Sequence, residues 1–481
     1  MVAKTFVPER PLAKTDLTLF CADLPALCRM DVARMAAAYR SGELSAVQVA
    51  EACLARAAAI QPALNAFTLI DRDGALVAAR ASEARWRAGA PLSAIDGVPT
   101  TLKDIVSVAG WPVRFGSATT AAAPFDHDAP AVARLRAAGA VFIGQTTTPE
   151  FGWKAVTDSR ANGITRNPWN PDLTPGGSSG GAAVAAACGA GLLHLGTDGG
   201  GSIRIPAAFT GIFGLKPSFG RVPAYPPSAY GTVAHLGPMT RCAADARAML
   251  AVMGGRDLRD WNQPYGTMPG VEPAPFDWNG CRIGYWARPP VGQVDPAIQG
   301  VVAAALDRIA DAGATITPTD LPGENLLQVF HAHWLTGAAN RLAQVPPDLR
   351  GQCDPAFAEA AAQGALISTL DLLAAQTARA RFGAAMDQLL DRYDLILSPS
   401  TSVLPFAAGR EWPEGAAMSR WTEWAGFSFP LNLSQHPAAS VPCGRTGGLP
   451  VGLQIIGPRG ADGRVLDAAE AVETLLRGGL S

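Results

Sequence analysis

The chain has 481 residues, 48% apolar and 17% charged, which excludes a disordered chain and leaves ample material for a large core. With 39 basic and 41 acidic residues the formal net charge is −2, which argues against a generic basic nucleic-acid surface and an acidic tail. Length alone suggests about three domains, although one α/β unit can run this long.

Residues 1–30 read as an N-terminal extension whose charges at 4–16 leave no signal-peptide core. From Asp31 two helices follow, the second opening with Ser45 and Gln48 in capping-box positions. Gly97–Val106 reads as an apolar strand carrying Lys103 near its end. A helix–glycine–strand unit appears twice, with proline inside the start and glycine past the end. One runs from Asp128-Ala-Pro130 to Gly139 and then Val141–Ile143; the other runs from Asp295-Pro296 to Gly313 and then Ala314–Ile316. Leu195–Asp198, Cys281–Trp286, Leu395–Ser398 and Val451–Ile456 are further strands, and the Pro/Gly/Trp-rich stretch at roughly 261–280 reads as a surface loop. Strands alternating with helices predict an α/β layer fold. The longest mildly apolar stretch, Ala182–Gly196, falls short of the ~20 residues of a membrane span. The eight cysteines form no CxxC pair and no Cys/His ligand spacing, so a reduced cytoplasm is expected, without disulfides or zinc.

Glycine usage changes between 174 and 214. Thr174-Pro-Gly-Gly-Ser178-Ser179-Gly-Gly181 is followed by an alanine-rich helix, which should be buried, and then by Asp198-Gly199-Gly200-Gly201-Ser202-Ile-Arg204. Two serine-bearing glycine loops, 24 residues apart, can bring backbone N–H groups close to a substrate. Neither ends in the GK[ST] of a phosphate-binding loop, and no dinucleotide-binding GxGxxG follows a strand. Gly177–Gly181 also fits the G-x-S-x-G elbow of an α/β-hydrolase esterase with Ser179 as nucleophile. That elbow needs a strand before it, and the preceding segment carries Pro168, Pro171 and Pro175.

Lys103 is one of only five lysines, against 34 arginines, and it sits in an apolar run. A lysine kept dry there would lose its proton more readily and could serve as a base. Asp104 would oppose this if it faced the amine, but neighbours on an extended segment point to opposite faces.

Together these pieces resemble the amidase signature family. The match extends through Gly211-Ile-Phe-Gly-Leu-Lys216-Pro217, Thr147–Phe151, Arg166–Trp169, and the C-terminal Asn432-Leu-Ser, Pro437, Ser440–Cys443 and Gly448–Gln454. It covers about 31–475. The resemblance implies an α/β/α sandwich around a large mixed β-sheet, one domain over 31–481 with its signature core at about 91–260. It implies Ser202 as nucleophile, Ser178 as bridging serine after a cis peptide, and Lys103 as terminal base. Backbone N–H groups of Gly199, Gly200, Gly201 and Ser202 would form the oxyanion hole, with Ser179, Asp198 and Arg204 in support. The implied activity is hydrolysis of acyl C–N bonds in linear amides and anilides, extending to carbamates (urethanes), hydrazides or esters. An alternative is the glutaminase (A) subunit of a tRNA-dependent amidotransferase.

Trp153, Tyr230, Trp334 and Gln435 are candidate pocket residues, Gln435 standing where the family pattern has glycine. Trp421 and Trp424 read as core, and His331-x-His333 could bind metal on a strand but has no completing ligand. No cofactor or metal is expected. The expected partner is a small amide-type molecule, with no nucleic acid and no membrane, and a homodimer is allowed.

Overall fold

A computed structural model describes residues 21, 24–264, 266 and 268–476. Most of the predicted extension, residues 1–20, 22 and 23, lies outside the described residues. Apart from a two-stranded ribbon of Asp158–Ser159 and Gly163–Ile164, the strands among those described are β1 Phe67–Ile70, β2 Pro99–Lys103, β3 Val141–Thr146, β4 Leu193–Asp198, β5 Phe213–Lys216, β6 His235–Thr240, β7 Arg282–Tyr285, β8 Thr315–Pro318, β9 Leu395–Pro399, β10 Ala438–Thr446 and β11 Leu449–Ile456. They form one mixed sheet in the order β1-β3-β2-β4-β6-β5-β10-β11-β9-β7-β8. β2 runs parallel to both of its neighbours, β3 and β4.

The helices begin as the caps dictate. Asp31 caps α1 (Val32–Ser41), and Ser45 with Gln48 closes the expected capping box of α2 (Ala46–Leu64). α3 is Arg72–Arg87, and α4 (Pro130–Ala137) has its proline at the first turn. α5 (Gly180–Ala187) is buried on every side, as its alanines and glycines allow. α6 (Arg204–Thr210) and α7 (Ala243–Met253) follow, then α8 (Pro296–Asp311), whose N-cap is Asp295. α9 (Leu326–Ala343), α10 (Pro355–Ala365), α11 (Thr369–Arg392), α12 (Phe429–Ser434) and α13 (Asp462–Leu476) follow, and a single helical turn, Ala26–Arg29, precedes α1. Strand side chains alternate between two apolar layers: Leu395 and Leu397 join one cluster with α7, α8 and α13, while Ile396 joins the other with α9, α10 and α11. This is an α/β/α sandwich.

All the strands anticipated from the sequence form, within a few residues. The sequence reading missed β1, β5, β6 and β10 because breakers disguise three of them. β6 contains Gly237 and Pro238, yet its ladder with β5 involves only Thr240 and Met239, so the proline needs no N–H partner there. The stretch 261–280 carries no regular element among its described residues and lies between α7 and β7, and the strands before and after it belong to the same sheet. His331 and His333 lie on α9 rather than on a strand, where a two-residue spacing turns them to different faces; His331 Nε2 instead meets Thr422 Oγ1 at 2.8 Å. No helix among the described residues is long and apolar enough to cross a membrane.

Candidate active site

Because β2 and β4 are adjacent and parallel, their C-terminal ends lie side by side, where open α/β sheets bind ligands. One end supplies Lys103, the other Thr197 and Asp198. The Lys103 side chain is fully enclosed, and Nζ contacts three hydroxyls: Ser178 Oγ at 2.7 Å, Ser179 Oγ at 2.9 Å and Thr197 Oγ1 at 2.8 Å. Burial lowers its pKa to about 7, against the opposing charge of Asp198. Asp104 turns away as the strand alternation requires. Its carboxylate accepts from the N–H groups of Arg114 (2.7 Å) and Gly116 (3.1 Å).

Counting protons shows what this cluster can do. A neutral amine offers two N–H donors and one lone pair. The Ser179 proton is committed to the carbonyl of Thr197 at 3.1 Å, so Ser179 can only accept from Nζ. When Thr197 Oγ1 accepts the second N–H, the lone pair is left facing the Ser178 proton.

Ser178 follows a cis peptide from Gly177. Thr157 clamps this loop: its Oγ1 donates to Gly176 O at 2.9 Å and accepts from Gly180 N at 3.1 Å. Thr157 and Thr197 were not singled out in the sequence, since lone threonines carry no spacing signal.

Ser202 lies in the turn between β4 and α6. It keeps 6% exposure and lines a cavity of about 440 Å³ together with Ser178, Thr197 and Gly199, whereas Ser179 is wholly enclosed. Gly201 has φ +121°, and a Cβ there would sit 2.5 Å from Ser428 Cβ, so only glycine fits. Its N–H donates to Asp198 Oδ1 at 2.8 Å. Of the four expected oxyanion donors, Gly201 is therefore already engaged. The N–H groups of Gly199, Gly200 and Ser202 meet no acceptor among the described residues.

Asp198 and Arg204 fix this turn as a fully buried ion pair, 2.9 Å apart. Asp198 also accepts from Ile203 N, and Arg204 reaches Asn432 Oδ1, Gln454 Oε1 and Ser428 O. Burial opposes ionisation of Asp198, but Arg204, with Lys216 and Asn432, holds its carboxyl well below the usual carboxylate range. Removing one member of a buried pair strands the other charge and typically costs about 3–5 kcal/mol. Arg204→Met should lower unfolding stability by about that amount in urea melts; a loss under about 1 kcal/mol would show that the pair is not what holds the turn.

The pocket candidates divide. Tyr230 and Trp334 line the cavity, their rings stacked with centroids 4.0 Å apart. Trp153 and Gln435 are not among the lining residues. Trp153 is buried behind the wall, where its carbonyl accepts from Trp334 Nε1 at 3.0 Å and its ring packs on Phe357. Gln435 has φ +66°, the left-handed conformation that favours glycine, and its amide turns to Thr232 O at 3.3 Å.

A family model described as Amidase matches residues 48–466. The chain belongs to the amidase family. Among members of that family, the acylamidase of Rhodococcus erythropolis is 34% identical over 93% of this chain and 95% of that protein. The glutamyl-tRNA(Gln) amidotransferase A subunit of Chloroflexus aurantiacus (strain ATCC 29366 / DSM 635 / J-10-fl) is also 34% identical, over 93% of this chain and 97% of that protein. The solved structure of a bacterial aryl acylamidase of the amidase signature (AS) enzymes family matches with a TM-score of 0.84 at 30% identity, covering 93% of this chain and 96% of that one.

These relatives correct one expectation. The absence of any nucleic-acid partner does not stand, because several amidase-family relatives bear the name of a tRNA amidotransferase component. The physical reason is that net charge averages over the whole chain and reports neither a local surface nor what an assembly contributes.

Proposed function

We propose that the chain hydrolyses acyl C–N bonds through an acyl-enzyme on Ser202. Ser202 Oγ gives its proton to Ser178 Oγ, whose own proton passes to Lys103 Nζ, and Oγ attacks the carbonyl carbon. The carbonyl oxygen takes the negative charge beside the N–H groups of Gly199, Gly200 and Ser202, a kind of donor worth about 3 kcal/mol each when removed singly. The C–N bond then breaks as the nitrogen takes a proton from Ser178, which Lys103 replenishes. Water, deprotonated along the same route, hydrolyses the ester. The observation that carries this reading is an enclosed lysine, its pKa lowered to about 7, bonded to the hydroxyl that lines the cavity with Ser202. Residues 31–481 act here as one catalytic unit, and eight free thiols support a reducing, cytoplasmic setting.

The aromatic cavity wall favours an apolar or aromatic substrate portion. A turnover screen with one fixed aryl acyl group should therefore give hydrolysis of the primary amide or the anilide, with carbamate, hydrazide and ester as further arms. Hydrolysis of the ester alone would count against C–N cleavage as the activity.

A second reading, the glutaminase component of a tRNA-dependent amidotransferase, is favoured by the named relatives. Glutamine hydrolysis that appears only when the other components are added would decide for it.

A further inference from the structure

The cavity holds a cation that the proton relay does not use. Arg341, near the end of α9, lines it together with Ser178 and Ser202. Its guanidinium lies over two rings, 4.7 Å from the centroid of Phe115 and 4.4 Å from that of Phe151. Both phenylalanines have left-handed backbones, φ +56° and +51°, and Phe151 N donates to Phe115 O at 2.7 Å. Bulky residues take up that conformation only where the surroundings impose it, and such outliers gather at ligand-holding sites. Here the strain places two rings under one cation.

Arg341 has little to bond to. Nη1 donates to Gln344 Oε1 at 3.0 Å, Nε is enclosed without an acceptor, and Nη2 donates to no acceptor among the described residues. No carboxylate among those residues pairs with it. The nearby carboxylates are engaged elsewhere: Glu150 with Ser117 Oγ and Asp354 N, and Asp354 with Lys154. The Tyr230 hydroxyl, on the same wall, is likewise enclosed without a partner. Donors left unpaired in an apolar wall cost free energy that an incoming acceptor would recover. A guanidinium fork suits a carboxylate better than any neutral group.

We propose that Arg341, seated on Phe115 and Phe151, selects substrates that carry a carboxylate on the portion filling this cavity. The proposal rests on the amide-hydrolase reading and narrows its substrate class. The test uses pairs of anilides that differ only in a terminal carboxylate or the isosteric carboxamide. One series carries it on acyl chains of graded length, the other on the aniline ring. The wild-type chain should favour the carboxylate member of at least one pair by ~10-fold or more in kcat/KM, chiefly through KM, as a charge-assisted bond allows. Arg341→Gln should bring that ratio to near one, and Arg341→Lys, which keeps the charge without the fork, should give an intermediate ratio. A merely structural role would lower both members alike and leave the ratio unchanged, which would overturn the proposal. So would a wild-type chain that prefers the neutral member of every pair while still cleaving anilides. If neither member of any pair is cleaved, the amide-hydrolase reading itself fails, and the proposal with it.

Discussion

Lys103→Ala is expected to lower kcat/KM by ~10⁴-fold or more, the scale seen when one member of an interdependent catalytic set is removed. Lys103→Arg should recover none of it, because arginine keeps its proton at any working pH. Protonation decides the matter. A lysine ordinarily titrates near ~10.4 and would be fully charged at neutral pH. Enclosure penalises the ammonium form and brings the value to about 7. Only the neutral amine has the lone pair that the Ser178 proton needs. Activity should therefore be low in acid and rise through pH ~7 as Lys103 loses its proton, an ascending limb in kcat/KM that reports the free enzyme. If Lys103→Arg kept a substantial fraction of the activity, the lysine would be a positioning charge and the relay would be wrong.

Ser202→Ala should abolish turnover to a similar extent, and an aryl phosphonylating probe should add its mass to the peptide containing Ser202 alone. Exposure and bonding separate the candidates. Ser179 is enclosed, and its oxygen is occupied by Thr197 N at 3.2 Å, its proton by Thr197 O and its other side by Lys103. Ser178 is held against Lys103, and Ser202 lines the cavity with three glycines before it. Ser179→Ala should keep the label on Ser202, losing rate through a looser amine. A label on Ser179 in the native chain would replace the relay with the elbow reading.

What could be read from the sequence follows from how local each signal is. Capping residues, glycine stops and apolar runs are properties of adjacent positions, so α1, α2, α4, α8 and most strands were legible, but not β6, β5 and β10 in the middle of the sheet. The pairing of Lys103 with the serine loops was legible only as a family pattern, since it joins residues 75 apart. Thr197 and Thr157 were not, because a threonine matters here only through which oxygen faces it. Gln435 shows a subtler limit. The resemblance leads one to expect glycine there; the backbone is left-handed, which the glutamine adopts, and Gln435 is not among the residues lining the cavity. Trp334 and Trp153 look alike in sequence, yet the first lines the cavity and the second stands behind it.

The ion pair at Asp198 also bears on the order of events during synthesis. Arg204 is held by Asn432 and Gln454, partners 228 and 250 residues further along. A chain emerging from the ribosome N-terminus first exposes both serine loops long before those partners exist. Until β11 has been synthesised and paired, the turn bearing Ser202 lacks the side chains that shape it. A nascent or prematurely terminated chain should therefore carry every residue of the proposed relay and yet do no chemistry, so that the appearance of activity marks completion of the fold.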